Sequence, residues 1–163
     1  MQRRLLILTW ASLGAAAAQQ PALTAFTLEE SDAGIQRRMG APRRVSNGPG
    51  YRLLEYQTAP GAPEAGEFDF AFYFERPAGI LIRVTRTFSE ASPVDHLFPA
   101  PHSRFHRWRS SSAELSVRSC LLDRRRVLLA IGVARPGDRC RQLVLIRRSA
   151  LSRFYPWLAA ELP

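Results

Sequence analysis

At 163 residues, with 46% hydrophobic, 10% aromatic and 23% charged side chains, the chain has the length and composition of one ordinary domain with a packed core. Those proportions exclude wholesale disorder, the length excludes a typical TIM barrel, and no run reaches the roughly 18 apolar residues that a spanning helix needs. A net charge of +9 would ordinarily suggest nucleic acid or an anionic membrane, but all 23 basic residues are Arg, none is Lys, and Asn47 is the single Asn. A GC-rich coding sequence favours Arg and Ala codons over Lys and Asn codons and accounts for that imbalance without a ligand.

Residues 1–18 read as an export signal. Arg3 and Arg4 give a basic start, Leu5 to Leu13 an apolar run, and Ala16-Ala17-Ala18 the small-residue pattern at which signal peptidase cuts. Cleavage is expected before Gln19, which leaves residues 19–163 as a single domain in the periplasm or the medium. No Cys follows the apolar run, so a lipid anchor is not indicated. Residues 19–100 carry 8 Arg and 10 acidic residues, whereas residues 101–163 carry 13 Arg and 4, so the basic character lies in the second half.

Taken in order, Thr27-Leu28-Glu29-Glu30 has the form of a capping box and predicts a helix running through Ile35 to Met39, stopped by Gly40 and Pro42. Ser46 to Gly50 reads as a turn, Tyr51 to Gln57 as a strand and Thr58 to Gly66 as a loop. Phe68, Phe70, Phe72 and Phe74 then alternate at period two and predict a strand with one buried face. Ile80 to Phe88 completes a hairpin with it across a turn at Pro77 to Gly79. In the second half, Pro93 to Phe98 suggests a short helix, and Ser103 to Trp108, Leu115 to Leu122 and Val127 to Val133 suggest three strands. Arg135 to Asp138 is a turn and Gln142 to Arg147 a further strand. Ser149 caps Ala150 to Phe154, and Pro156 opens a final helix to Leu162 docked by Trp157, Leu158 and Leu162.

The expected fold class is therefore α+β: an antiparallel sheet packed against short helices, with two helix-plus-three-strand repeats at 27–88 and 92–133 and a C-terminal strand and helix at 142–162. The capped helix, Met39-Gly40-Ala41-Pro42, the glycine-rich turn and the aromatic strand Tyr51 to Tyr56 together resemble the SmpA/OmlA (BamE-like) domain family. The tandem order is similar to that of β-lactamase inhibitor protein. This resemblance implies a fold and a habit of binding other proteins; no residue-level binding motif carries over.

No G-x-S-x-G, H-E-x-x-H, P-loop or G-x-G-x-x-G is present. Asp95, His96, His102 and His106 are the residues that could ligate zinc, against which Pro99 and Pro101 break the segment. The densest basic and aromatic group is Arg104, Arg107 and Trp108 with Arg124, Arg125 and Arg126, suited to an acidic partner, a phosphate or a lipid A surface. The expectation is an exported, non-catalytic domain, not an enzyme and without a cofactor, that binds another protein of the cell envelope. Nucleic acid is not among its expected partners, no transmembrane segment remains after cleavage, and contact with anionic surfaces is at most weak. The alternatives are a small zinc-dependent periplasmic hydrolase and a basic structural protein of the envelope.

An oxidising compartment and an even count favour a disulfide between Cys120 and Cys140. A simple meander would instead hold them near 20 Å apart, with the strand Val127 to Val133 between them. The bridge is the expectation, and it requires residues 135–141 to fold back across the sheet.

Overall fold

The computed structural model describes residues 22–58 and 68–162. The export segment and most of the Thr58 to Gly66 loop lie outside the described residues. Eight strands form one antiparallel sheet. β1 (Arg44–Gly48), β2 (Tyr51–Tyr56), β3 (Phe70–Glu75) and β4 (Ile80–Pro93) make one meander, and β5 (Ser103–Arg109), β6 (Glu114–Leu121), β7 (Arg126–Ile131) and β8 (Arg139–Arg147) a second. Across the sheet the order is β1-β2-β3-β4-β8-β7-β6-β5, so the second meander returns to lay β8 beside β4 and leaves β1 and β5 at the edges.

Hydrophobic patterning explains the layers. In β3, Phe70, Phe72 and Phe74 are buried while Ala71, Tyr73 and Glu75 are half-buried, the period-two signature of a strand with one dry face. In β7 and β8 the alternation disappears, and Val127 to Ala130 and Leu143 to Ile146 are buried without interruption. Strands read this way when both faces of the sheet are covered.

One face carries Phe70, Phe72, Phe74, Leu128 and Leu145 and is covered by Leu23, Phe26 and Leu28 of the N-terminal segment and by Ile35 of α1 (Asp32–Met39). The other carries Val117, Val127, Leu129, Val144 and Ile146. There α2 (Leu151–Phe154) and α3 (Pro156–Glu161), with the residues flanking them, lay down Ala150, Leu151, Leu158 and Leu162. The docking expected of Leu158 and Leu162 is what the structure shows. Trp157 is half-buried and stacks on Trp108 at 6.4 Å between ring centroids. Among the described residues no helix is long and apolar enough to cross a membrane.

The α+β repeat architecture is corrected by this sheet. The chain is β-rich and each half is a four-stranded meander rather than a helix plus three strands. The first half gains β1, which pairs with β2 from Arg44↔Glu55 to Gly48↔Tyr51 through a turn at Pro49-Gly50. Pro49 fixes the first turn position and Gly50, at φ 73°, takes the left-handed second one. The second half lacks its helix: β4 runs on to Pro93, and Pro93 to Phe98 holds only a 3-10 turn, Asp95–Leu97. The helix start also moves. Ser31, not Thr27, caps α1, accepting from the Gly34 N–H at 3.1 Å, while Thr27 contributes only its carbonyl, to the Glu30 N–H.

The disulfide is the other correction, because Cys120 and Cys140 are both free and buried. Cys120 is opposite Leu128 on β7, and Leu128 is opposite Leu145 on β8, five residues beyond Cys140. Two strand spacings sideways and five residues lengthwise amount to about 19 Å, against the roughly 7 Å that a disulfide tolerates between Cα atoms. The meander is continuous, with no fold-back. Burial raises the thiol pKa of Cys120 and pushes that of Cys140 up to about 11, which disfavours the reactive thiolate. We expect Ellman's reagent to titrate two thiols in denatured, unreduced protein and to react slowly with the folded chain; a value of zero after denaturation would restore the bridge.

Candidate functional site

Two constellations of polar side chains stand out against this scaffold. The first lies at the end of the sheet where the β6–β7 turn meets the end of β8. Asp123 organises the turn: its Oδ1 accepts from the N–H groups of Arg125 and Arg126, both at 2.8 Å, and its Oδ2 from Arg126 Nε at 2.6 Å. Those hydrogen bonds hold the Asp123 carboxyl below the usual carboxylate range. Register then places Arg126 opposite Arg147, and the Arg148 N–H donates to the Arg125 carbonyl at 2.6 Å.

Arg124, Arg125, Arg147 and Arg148 consequently surround a cleft of about 500 Å³, together with Glu29 and Ser149. Glu29 is the one carboxylate in that lining, 3.5 Å from Arg125 and 3.8 Å from Arg147. Arg147 also donates to the Leu28 carbonyl at 3.0 Å, which fixes it against the N-terminal segment. Among the described residues neither Arg124 nor Arg148 has an ion-pair partner. Four arginines against one carboxylate in the lining leave the cleft net positive, and guanidinium is a planar donor matched to carboxylate or phosphate oxygens.

The second constellation joins β5, β6 and α3. Register and strand alternation put Arg104, His106 and Ser119 on the face that α3 covers. His106 is 7% exposed and Ser119 2%. Ser119 Oγ is 2.7 Å from His106 Nε2, and Glu161 Oε2 is 2.6 Å from His106 Nδ1. A carboxylate can only accept, so the Nδ1 proton belongs between His106 and Glu161, and Nε2 is left to accept from the Ser119 hydroxyl. Beside them Pro101, His102, Arg104, Leu121 and Leu162 complete, with Ser119, a cleft of about 160 Å³.

The residues singled out from the sequence therefore divide. Arg124 and Arg125 join the positive cleft, and Arg126 turns to Asp123 beside it. Arg104 lines the smaller cleft. Arg107 pairs with Glu114 at 3.2 Å and Trp108 stacks on Trp157, both toward the far end of β5. The zinc candidates do not share a site: Asp95 is held by Arg118 and by the Gly137 N–H, His96 lines an apolar cleft on the opposite face, and His106 is committed to Ser119 and Glu161. Sequence reasoning missed Arg147 and Arg148 because only the β7–β8 register brings them to the β6–β7 turn. It missed Ser119 and Glu161 because they lie 13 and 55 residues from His106 and belong to no linear motif. Comparison of the chain with family models, curated proteins and solved structures finds no match.

Proposed function

We propose that this chain is an exported domain that captures an acidic segment of a partner protein in the cleft formed by Arg124, Arg125, Arg147 and Arg148, without chemistry at that cleft. The observation that carries the reading is the convergence of four arginines on one concave site with a single carboxylate for balance. Codon bias explains why a chain uses Arg; it does not gather arginines from a turn and from the end of β8 around one cleft. A carboxylate-bearing peptide can take bidentate contacts from Arg124 and Arg148, while Arg147 is held in place by the Leu28 carbonyl. The sequence resemblance to a protein-binding family and the basic second half support the same reading.

Fluorescence anisotropy with a labelled Glu- and Asp-rich peptide tests it. Binding should weaken about tenfold or more in Arg124→Glu with Arg148→Glu, and should fall as salt rises, since exposed ion pairs contribute up to about 1 kcal/mol each and are screened. Arg→Lys at the same positions should retain part of the affinity. Charge reversal without effect would overturn the proposal. So would tighter retention on anionic lipid vesicles, or by inorganic phosphate, than on the peptide.

A further inference from the structure

We propose that Ser119, His106 and Glu161 form a hydrolytic relay and that the cleft beside them accepts the acyl group of a small ester. This site is separate from the arginine cleft and goes beyond the binding function. The requirements for an activated serine are a base within hydrogen-bond reach of the hydroxyl and a third group that fixes the tautomer of the base. Both are met, at 2.7 Å for Ser119 Oγ to His106 Nε2 and 2.6 Å for His106 Nδ1 to Glu161 Oε2. Such arrangements are recognised by geometry and role rather than by sequence order, which is why the absence of G-x-S-x-G leaves this one open.

The surroundings specify the substrate class. Ser119 pairs with Arg104 on one side and Leu129 on the other, so its own N–H belongs to the sheet ladder rather than to an oxyanion. Arg104 is directly opposite Ser119 in register and lines the same cleft, and we assign it that role. Cross-strand partners of this kind have Cβ atoms about 5 Å apart. The cleft is about 160 Å³, and Leu121 and Leu162 flank it. An acetyl or similarly short acyl group fits that space.

In the reaction, Ser119 Oγ bonds to the ester carbonyl carbon as its proton passes to His106 Nε2, and the carbonyl electron pair moves to oxygen beside Arg104. Collapse breaks the bond to the leaving alkoxide, which departs as the alcohol with the proton from His106. Water then attacks the acyl-serine, His106 takes and returns its proton, and the carboxylic acid leaves with Ser119 restored. Glu161 holds the imidazole and balances its transient charge.

The experiment combines p-nitrophenyl acetate hydrolysis with intact-mass analysis after exposure to a fluorophosphonate, whose phosphorus bonds to Oγ as fluoride is displaced. Purified protein should hydrolyse the acetate and gain one adduct mapping to Ser119. Ser119→Ala should abolish both, and His106→Gln should slow hydrolysis about 10²-fold or more. Glu161→Gln, at a half-exposed position, should slow it about tenfold or more while circular dichroism stays unchanged. A folded protein with no adduct at Ser119, hydrolysis that survives Ser119→Ala, or a Glu161→Gln variant as active as the parent would overturn the proposal.

Discussion

Phe72→Ala should lower the stability of the folded chain by about 3–5 kcal/mol, the range for deleting a fully buried phenyl ring. Phe72 is 0% exposed and meets Phe26 edge-on at 4.9 Å, Tyr56 edge-on at 5.5 Å and Phe70 stacked at 6.0 Å. The loss combines three contributions: transfer of the ring to water, the cavity left among side chains that cannot all close in, and the aromatic pairings themselves. Phe26 belongs to the N-terminal segment, so the same deletion loosens the cover of that face as well as β3. Domains of this size are stable by about 5–15 kcal/mol, and the variant should therefore unfold at a clearly lower urea concentration. Val45→Ala is the internal control: Val45 is 46% exposed on edge strand β1, and a change within about 0.5 kcal/mol is expected there. A midpoint for Phe72→Ala as close to the parent's as that of the control would refute the core assignment.

That prediction rests on a part of the fold that was legible. Phe70, Phe72 and Phe74 announce a strand because period-two alternation of large apolar residues has no other economical reading. β1 was invisible for the opposite reason. It is an edge strand whose residues are mostly exposed or half-buried, and Asn47, Gly48, Pro49 and Gly50 look like a loop although they build a tight hairpin. Local signals misplaced the start of α1 as well: Thr27 satisfied the capping pattern, but Leu28 just after it is buried under the sheet and the chain turns before Ser31 takes the cap. Nothing local could announce the pairing of β4 with β8, which joins Arg83 to Ile146. The candidate sites inherit that difficulty. Arg124 and Arg125 were recognisable as a charge run, whereas their partners Arg147 and Arg148 arrive only through that long-range topology. The same topology decides the cysteines, since a bridge inferred from compartment fails once β7 lies between β6 and β8.

Arg118→Ala should destabilise the chain by about 3 kcal/mol, because one buried guanidinium there ties three segments together. Its side chain is 8% exposed. It donates to Asp95 Oδ1, to the Phe98 carbonyl at 2.8 Å and to Ser103 Oγ at 3.3 Å, and it lies over the rings of Phe98 at 5.2 Å and Phe105 at 4.9 Å. Asp95 Oδ2 in turn accepts from the Gly137 N–H at 2.9 Å, so the pair connects β6, the 3-10 turn after β4 and the turn before β8. Removing Arg118 leaves the Phe98 carbonyl with only the longer 3.3 Å hydrogen bond from the Ser103 hydroxyl and forfeits the packing on the rings of Phe98 and Phe105, while the half-exposed Asp95 can be rehydrated. Removing Asp95 instead leaves a buried cation with a carbonyl and a hydroxyl but no counter-ion, and should cost at least as much, about 3–5 kcal/mol. Replacing both, Arg118→Ala with Asp95→Ala, should cost less than the two single losses combined, because neither a bare charge nor its desolvation then remains. A thermodynamic cycle on urea midpoints decides the matter. Coupling above about 1 kcal/mol between the two positions supports this role, whereas effects that add within about 0.5 kcal/mol would show that Arg118 and Asp95 act independently.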